Sequence, residues 1–260
     1  MIIDDIVMKT RERLIQDKQR VPYDEMKAKA LALPQDKSFP FRQALVKDGL
    51  AYILEVKKAS PSKGLIQPDF EPARIAGEYE AIGADAVSVL TEPYYFQGKS
   101  EYVTQIHGAV ALPILRKDFV IDDYMIYEAK VIGASAVLLI TSILDDDTLK
   151  AYLELCHTLG LSALVEARDE GQVKRALHSG AKIIGVNNRD LRTFEVNMDQ
   201  ALKYRAMIPD DVIFVSESGI ETRKDTQLLE DHHVNAVLIG ETLMKAPDRQ
   251  ARLNELKGQL

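Results

Sequence analysis

Four apolar segments of this 260-residue chain end in ionisable residues. YILEVK carries Glu55 and Lys57, ILRKD carries Lys117, LVEA carries Glu166 and VSES carries Glu217. A charge beside a core is costly unless it has partners or a task. Glu55 and Lys57 stand two residues apart, so an extended strand points both to one face. Lysines beside carboxylates keep one another charged, while burial drives both toward neutrality. Such a set supplies a general acid and a general base together. The expected chemistry is proton transfer on a small molecule, with Lys117 aimed into a polar pocket rather than a dry core.

The elements that would gather these residues show up as a repeat. IGADAVSVL starts at Ile82, IGASAVLLI at Ile132, SGAKIIGVN at Ser179 and HVNAVLIGE at His233. Each reads as a helix end, a small-residue turn and a short apolar strand. Gly83, Gly133 and Gly180 fit a left-handed helix C-terminus, and Asn235 lies in the corresponding turn of the last copy. The copies recur at about 50 residues, which is the length of two βα units rather than one. The segments Tyr52–Lys57, Pro113–Asp118, Ser162–Ala167 and Asp211–Ser218 fill the gaps. Eight short, β-branched strands separated by amphipathic helices predict a closed (β/α)8 TIM barrel. An open doubly wound sheet is the alternative, but the chain has no GxGxxG or P-loop after its first strand. Residues 1–260 read as a single barrel domain. Its first 45 residues form an N-terminal helical extension of two pieces broken at Pro22.

Chemistry in such a barrel sits where the strands end, and alternate strands contribute to one layer of the interior. Glu55, Lys57, Lys117, Glu166 and Glu217 all fall on odd-numbered strands, so they converge at one mouth with Asn187 beside them. The loops after strands seven and eight, SESGIET and GETLMKAPD, are the habitual phosphate site of the fold. There Ser218, Gly219, Gly240 and Glu241 offer backbone N–H groups, and Ser218 a hydroxyl. KKASPSKG after strand one adds Ser60, Ser62 and Lys63 in a flexible loop, either a lid or a polar turn. Tyr94, Tyr95 and Phe96 offer an aromatic wall over a ring, or rim packing. His232 and His233 lack metal-ligand spacing and read as surface residues.

The net charge of −7 argues against nucleic acid or an anionic membrane as partner. The single cysteine, Cys156, excludes an intrachain disulfide and suits a reducing cytoplasm. No signal pattern or membrane-spanning apolar run is present, so the expected localisation is cytoplasmic.

The segments LEVKKASPSKG, TEPYYFQG, ILRKDF, VLLI, LVEA, GVNNRDL, SESGI and LIGETLM, in that order from about Phe41 to Met244, resemble the indole-3-glycerol phosphate synthase family. The resemblance implies a step of tryptophan biosynthesis. The substrate is 1-(2-carboxyphenylamino)-1-deoxyribulose 5-phosphate. Its aromatic carbon attacks the ketone, CO2 leaves, water is lost and the indole ring forms. No metal or organic cofactor is implied. By the same resemblance Lys117 is the general acid of ring closure and Glu166 the general base of dehydration. Lys57 binds the substrate carboxylate or shares proton donation, and Glu55 orients the lysines. Asn187 and Glu217 hold the intermediate in a reactive pose. Ser60, Ser218, Gly219 and Gly240 hold phosphate, and Phe96 and Leu138 flank the aromatic ring. Two positions depart from the pattern of some members: Ala59 stands where a second basic residue can occur, and Glu241 where a serine can. The latter leaves only a backbone N–H for phosphate. The expected partner is this small phosphorylated substrate, with the chain acting as a monomer or weak homodimer. Phosphoribosylanthranilate isomerase is an alternative, but it would leave LRKDF without a role. A barrel that only binds a phosphorylated metabolite is another, and it would not need Lys117 together with Glu166.

Overall fold

Along each barrel strand, side chains alternate between two cores, and that alternation decides which charges reach the site. A computed structural model describes residues 2–189 and 196–259. The barrel strands are β1 (Ala51–Val56), β2 (Ala86–Leu90), β3 (Ile114–Lys117), β4 (Ala136–Ile140), β5 (Ser162–Ala167), β6 (Ile183–Asn187), β7 (Ile213–Glu217) and β8 (Ala236–Ile239). All pair in parallel with their sequence neighbours, and β1 pairs with β8 to close the ring. Ala51 and Ile53 point into the barrel, while Tyr52, Leu54 and Val56 pack beneath the outer helices. The same period of two puts Leu115, Leu138, Leu164, Ile183, Val215 and Leu238 inside. Closure leaves this sheet without an open edge.

The repeat read from the sequence is present, with one difference. Gly83, Gly133 and Gly180 adopt φ of 81°, 93° and 85° after their helices. In the last copy the left-handed residue is His233 at φ 55°, not Asn235. Asn235 instead accepts the Phe214 N–H through its side chain at 2.8 Å and ties the start of β8 to β7.

The N-terminal extension has three helices rather than two: α1 (Ile2–Arg20), α2 (Tyr23–Ala32) and α3 (Pro40–Ala44). The break at Pro22 falls as expected. The third helix was hidden because five residues carry no readable period. Its Phe41 and the Leu45 that follows it are buried in the inner core. Lys37, just before it, donates to the carbonyls of His157 and Thr158 at 2.6 and 2.9 Å, near the end where β5 begins. At the opposite end α1 reaches the strand termini, with Arg13 donating to Asp118 at 3.0 Å and Lys18 to Asp122 at 2.7 Å. Among the described residues no helix is long and apolar enough to cross a membrane.

Candidate active site

Three strand ends bring charges into contact across the mouth. Lys117 is the last residue of β3, and its ammonium lies 3.1 Å from Glu217 Oε2 of β7 and 3.4 Å from Glu55 Oε2 of β1. Glu55 Oε1 pairs with Lys57 at 2.6 Å, so one buried carboxylate holds both lysines. Burial disfavours the charged form of Lys117. The charges of Glu217 and Glu55 outweigh it and hold the lysine above its ordinary value. Burial likewise favours neutral Glu55, but Lys57 and Lys117 win and keep it below the ordinary carboxylate range. Glu217 goes the other way: burial, with Glu166 and Glu55 nearby, pushes it up to about 7 against the pull of Lys117.

Glu166 lies on the far side of this group. Its Oε2 accepts from Asn187 Nδ2 at 3.3 Å, and its Oε1 faces Arg168 Nη2 at 3.5 Å. Asn187 in turn accepts the Arg189 N–H at 3.0 Å, which fixes which end of its amide turns toward Glu166. These side chains border a cavity of about 130 Å³ that also contains Leu138, Phe96, Ser60, Ser218, Gly219, Gly240 and Glu241. Of the thirteen residues to which the resemblance gives a place at the site, Glu217 alone does not line it; Lys63, Tyr94 and Tyr95, the weaker candidates, do not line it either. Glu217 is fully buried behind Lys117, and its Oε1 has no hydrogen-bond partner among the described residues.

Glycines make the room. A Cβ on Gly185 of β6 would overlap Glu217 Oε1 and come within 3.1 Å of Leu164 Cδ1. A Cβ on Gly240 would overlap Glu55 Oε1 and lie 2.9 Å from Lys57 Nζ. Ser218 and Gly219 follow β7 in succession at φ 66° and 78°. A serine there is uncommon, which marks the turn as one held in place by its surroundings.

Glu241 shows how an acid is accommodated next to Gly240 at the cavity wall. Its side chain turns to Lys245 at 2.7 Å, with Lys63 at 3.7 Å and Arg189 at 4.0 Å. Its own partial burial opposes ionisation, but Lys245 prevails and holds it below the ordinary range. In the segment after β1, Ala59–Ser60 and Gly64–Leu65 form a two-stranded antiparallel hairpin. Of the aromatic trio only Phe96 reaches the cavity. The buried carboxylate of Glu92 accepts the N–H groups of Tyr94, Tyr95 and Phe96 at 2.9, 2.7 and 3.0 Å. That turn leaves Tyr94 half exposed and brings Phe96 to 6.3 Å from Phe119, ring to ring.

Several residues of the site went unnoticed in the sequence. Ile2 and Ile6 of α1 line the cavity, so the extension supplies part of its wall. Asp118 accepts from Arg13 at 3.0 Å, from Thr91 Oγ1 at 2.6 Å and from the Phe119 N–H at 2.8 Å. Three donors, after its burial is overcome by Arg13 and Arg116, keep it below the ordinary carboxylate range. Arg116 points away from the barrel and meets Glu128 at 2.6 Å. Alternation along ILRKD could have signalled that Arg116 and Lys117 face opposite sides. Arg168 stands two residues after Glu166 and on its face, a spacing that could have found it. The motif GVNNRDL runs on to Asp190 and Leu191, which lie outside the described residues.

Comparison with known proteins gives a consistent picture. The profile of the family described as Indole-3-glycerol phosphate synthase matches residues 3–256. A protein of Endomicrobium trichonymphae named indole-3-glycerol phosphate synthase is 52% identical over 257 residues, spanning 99% of this chain and 100% of its own length. One of the same name from Ruminiclostridium cellulolyticum is 50% identical over 259 residues, spanning 99% of each. Among solved structures, KGPDC from Streptococcus mutans superposes with a TM-score of 0.63 at 15% identity, over 82% of this chain and 97% of that one. A thiamine phosphate pyrophosphorylase from Pyrococcus furiosus gives 0.61 at 15%, over 84% and 96%. At such low identity these two speak for the barrel alone. With sequence matches that run nearly end to end, the chain belongs to the indole-3-glycerol phosphate synthase family.

Proposed function

We propose that this chain converts 1-(2-carboxyphenylamino)-1-deoxyribulose 5-phosphate to indole-3-glycerol phosphate, CO2 and water, a step of tryptophan biosynthesis. The observation that carries the reading is Lys117, an ammonium held between Glu55 and Glu217 at the rim of a cavity that Glu166 shares, in a chain of this family.

In the first stage the ring carbon that bears the carboxylate attacks the ketone carbon. A C–C bond forms and the carbonyl π electrons move to oxygen. Lys117 gives its proton to that oxygen. The alkoxide is more basic than a lysine amine, so even a lysine held strongly charged transfers its proton downhill. Lys57, fixed by Glu55, pairs with the substrate carboxylate until the C–C bond to CO2 breaks and its electrons restore the ring. In the second stage Glu166 removes a proton and the new hydroxyl leaves as water with a proton from a lysine, which completes the indole. Asn187 holds Glu166, and Glu217 holds Lys117. Phe96 and Leu138 border the aromatic ring, and orientation of this kind is a large share of catalysis where two parts of one molecule must meet. Ser60, Ser218, Gly219 and Gly240 take the phosphate, with the Glu241 backbone N–H beside them while its carboxylate is neutralised by Lys245. The ligand is a small phosphorylated molecule, and residues 1–260 act as one catalytic unit in the cytoplasm.

The test is direct. Incubating the chain with the anilino-ribulose phosphate should produce indole fluorescence together with one equivalent of CO2. Binding of that compound with neither product formed would reduce the protein to a binding barrel and end this reading.

A further inference from the structure

We propose that Arg168 is a positioning residue that fixes the Glu166 carboxylate for proton removal in the dehydration. This inference rests on the reading of Glu166 as the base of that stage.

The guanidinium has donors left over. Arg175, a few residues on, spends Nε on Asp146 at 2.6 Å, Nη1 on the Thr141 carbonyl at 2.9 Å and Nη2 on the Leu144 carbonyl at 2.7 Å. Arg168 by contrast reaches Glu166 Oε1 from Nη2 at 3.5 Å, and its Nε–H is shut off from water with no acceptor among the described residues. A buried donor left unmade is costly. The backbone here is not slack. The Arg168 N–H donates to Gln172 Oε1 at 3.1 Å, and Gln172 is itself held by Thr141 and Asp169. The main chain is pinned, so the unspent donor is a property of the side chain, and that side chain borders the cavity.

Both bonds to Glu166 are long. Asn187 holds Oε2 at 3.3 Å and Arg168 holds Oε1 at 3.5 Å, where a charge-assisted pair normally settles near 2.7–2.9 Å. The carboxylate is therefore bracketed from opposite sides but not clamped. Hydrogen bonds that act in catalysis are often loose before substrate arrives and tighten around it. Substrate filling the cavity displaces water from this corner and strengthens the charge–charge contact. The loose fork then closes on Glu166, shortens Nη2 to Oε1 and leaves the carboxylate with one orientation toward the proton it takes. Lysine has no such fork, so charge alone replaces only part of the function.

The experiment compares the wild-type chain with R168A, R168Q and R168K in single turnovers, following CO2 release and indole fluorescence separately. For R168A and R168Q we expect kcat to fall at least about 10-fold with KM within about threefold. CO2 release should stay within about twofold, so that it runs ahead of indole formation. Guanidinium ion added at millimolar levels should restore part of the R168A rate, and R168K should fall between R168A and wild type. A merely structural role would slow both stages together and would not respond to guanidinium. If R168A fails to fold, R168Q carries the comparison. Turnover within twofold of wild type in a folded R168A or R168Q, or equal slowing of both stages, overturns the proposal. E166Q separates the two readings: full turnover in E166Q removes the base assignment itself, whereas loss in E166Q with normal R168A removes only the role given to Arg168.

Discussion

Gly185 of β6 faces Glu217 of β7 so closely that a Cβ on the glycine would overlap the glutamate's Oε1. The neighbour on the other side, Leu164 Cδ1, lies only 3.1 Å from that Cβ position. Gly185→Ala should therefore push Glu217 off Lys117. Overpacking of a tight core costs about 1–3 kcal/mol. Turnover should fall at least about 10-fold, and the thermal midpoint should drop with it. A variant with normal turnover would mean the carboxylate can retreat without disturbing the lysine.

In the proposed reaction Lys117 gives the proton of the first stage and Glu166 takes the proton of the second. Lys117→Ala and Glu166→Gln should each cut turnover by at least about 100-fold, the usual scale for acid–base groups. The two variants should fail at different stages: Lys117→Ala before CO2 is released, Glu166→Gln after. Quenched-flow measurement of CO2 against indole fluorescence distinguishes them, and identical stage profiles would contradict the assignment.

The raised Glu217 carboxyl makes stability depend on pH in a definite direction. From its ordinary value of 4.5 up to about 7, the folded chain keeps a proton that the unfolded chain has lost. Its stabilising contribution is complete below 4.5 and is lost as pH rises to about 7, at about 1.4 kcal/mol per pH unit at most. Asp118 and Glu55 run the opposite way, since their lowered values give stability above the ordinary range that disappears on acidification. Glu217→Gln removes only the first effect. The thermal midpoint of the variant minus that of wild type should grow from pH 4.5 to 7 and then level off. A constant difference across that interval would show that Glu217 is not holding a proton.

The Arg13–Asp118 pair fastens α1 to the end of β3 and thereby to the residue next to Lys117. Removing one partner of a buried ion pair typically costs about 3–5 kcal/mol. Arg13→Ala leaves Asp118 with Thr91, the Phe119 N–H and a longer contact to Arg116. The cost should therefore sit at the low end of that range. Chemical denaturation of Arg13→Ala, Asp118→Asn and the double variant should reveal strong coupling, and additive losses would mean the pair contributes little.

Much of this protein was legible before its tertiary structure. Helix ends, turns and strands are local. A repeat such as IGADAVSVL and IGASAVLLI therefore announces its own unit, and eight units with no open-sheet signature close into a barrel. The position of most candidate charges was legible for a related reason: a side chain at the C-terminal end of a barrel strand falls near the mouth. What failed was also physical. Five residues of α3 are too few to show a helical period, and the carboxylate that shapes the Tyr94–Phe96 turn, Glu92, looks like any loop acid until its three N–H donors are seen.

The sequence by itself determined which side chains stand at strand ends and which share a face, because strand alternation is a rule of the backbone. It placed Lys117, Glu166, Asn187 and the two turn glycines, Gly219 and Gly240, without knowledge of any contact. The tertiary structure alone decided how they meet. Closing the ring put Glu217 behind Lys117 rather than in the cavity, set Gly185 against Glu217, and laid Ile2 and Ile6 of α1 over the mouth. Those are relations between strands and helices far apart in the chain, and they are fixed by packing and charge pairing that no local pattern encodes.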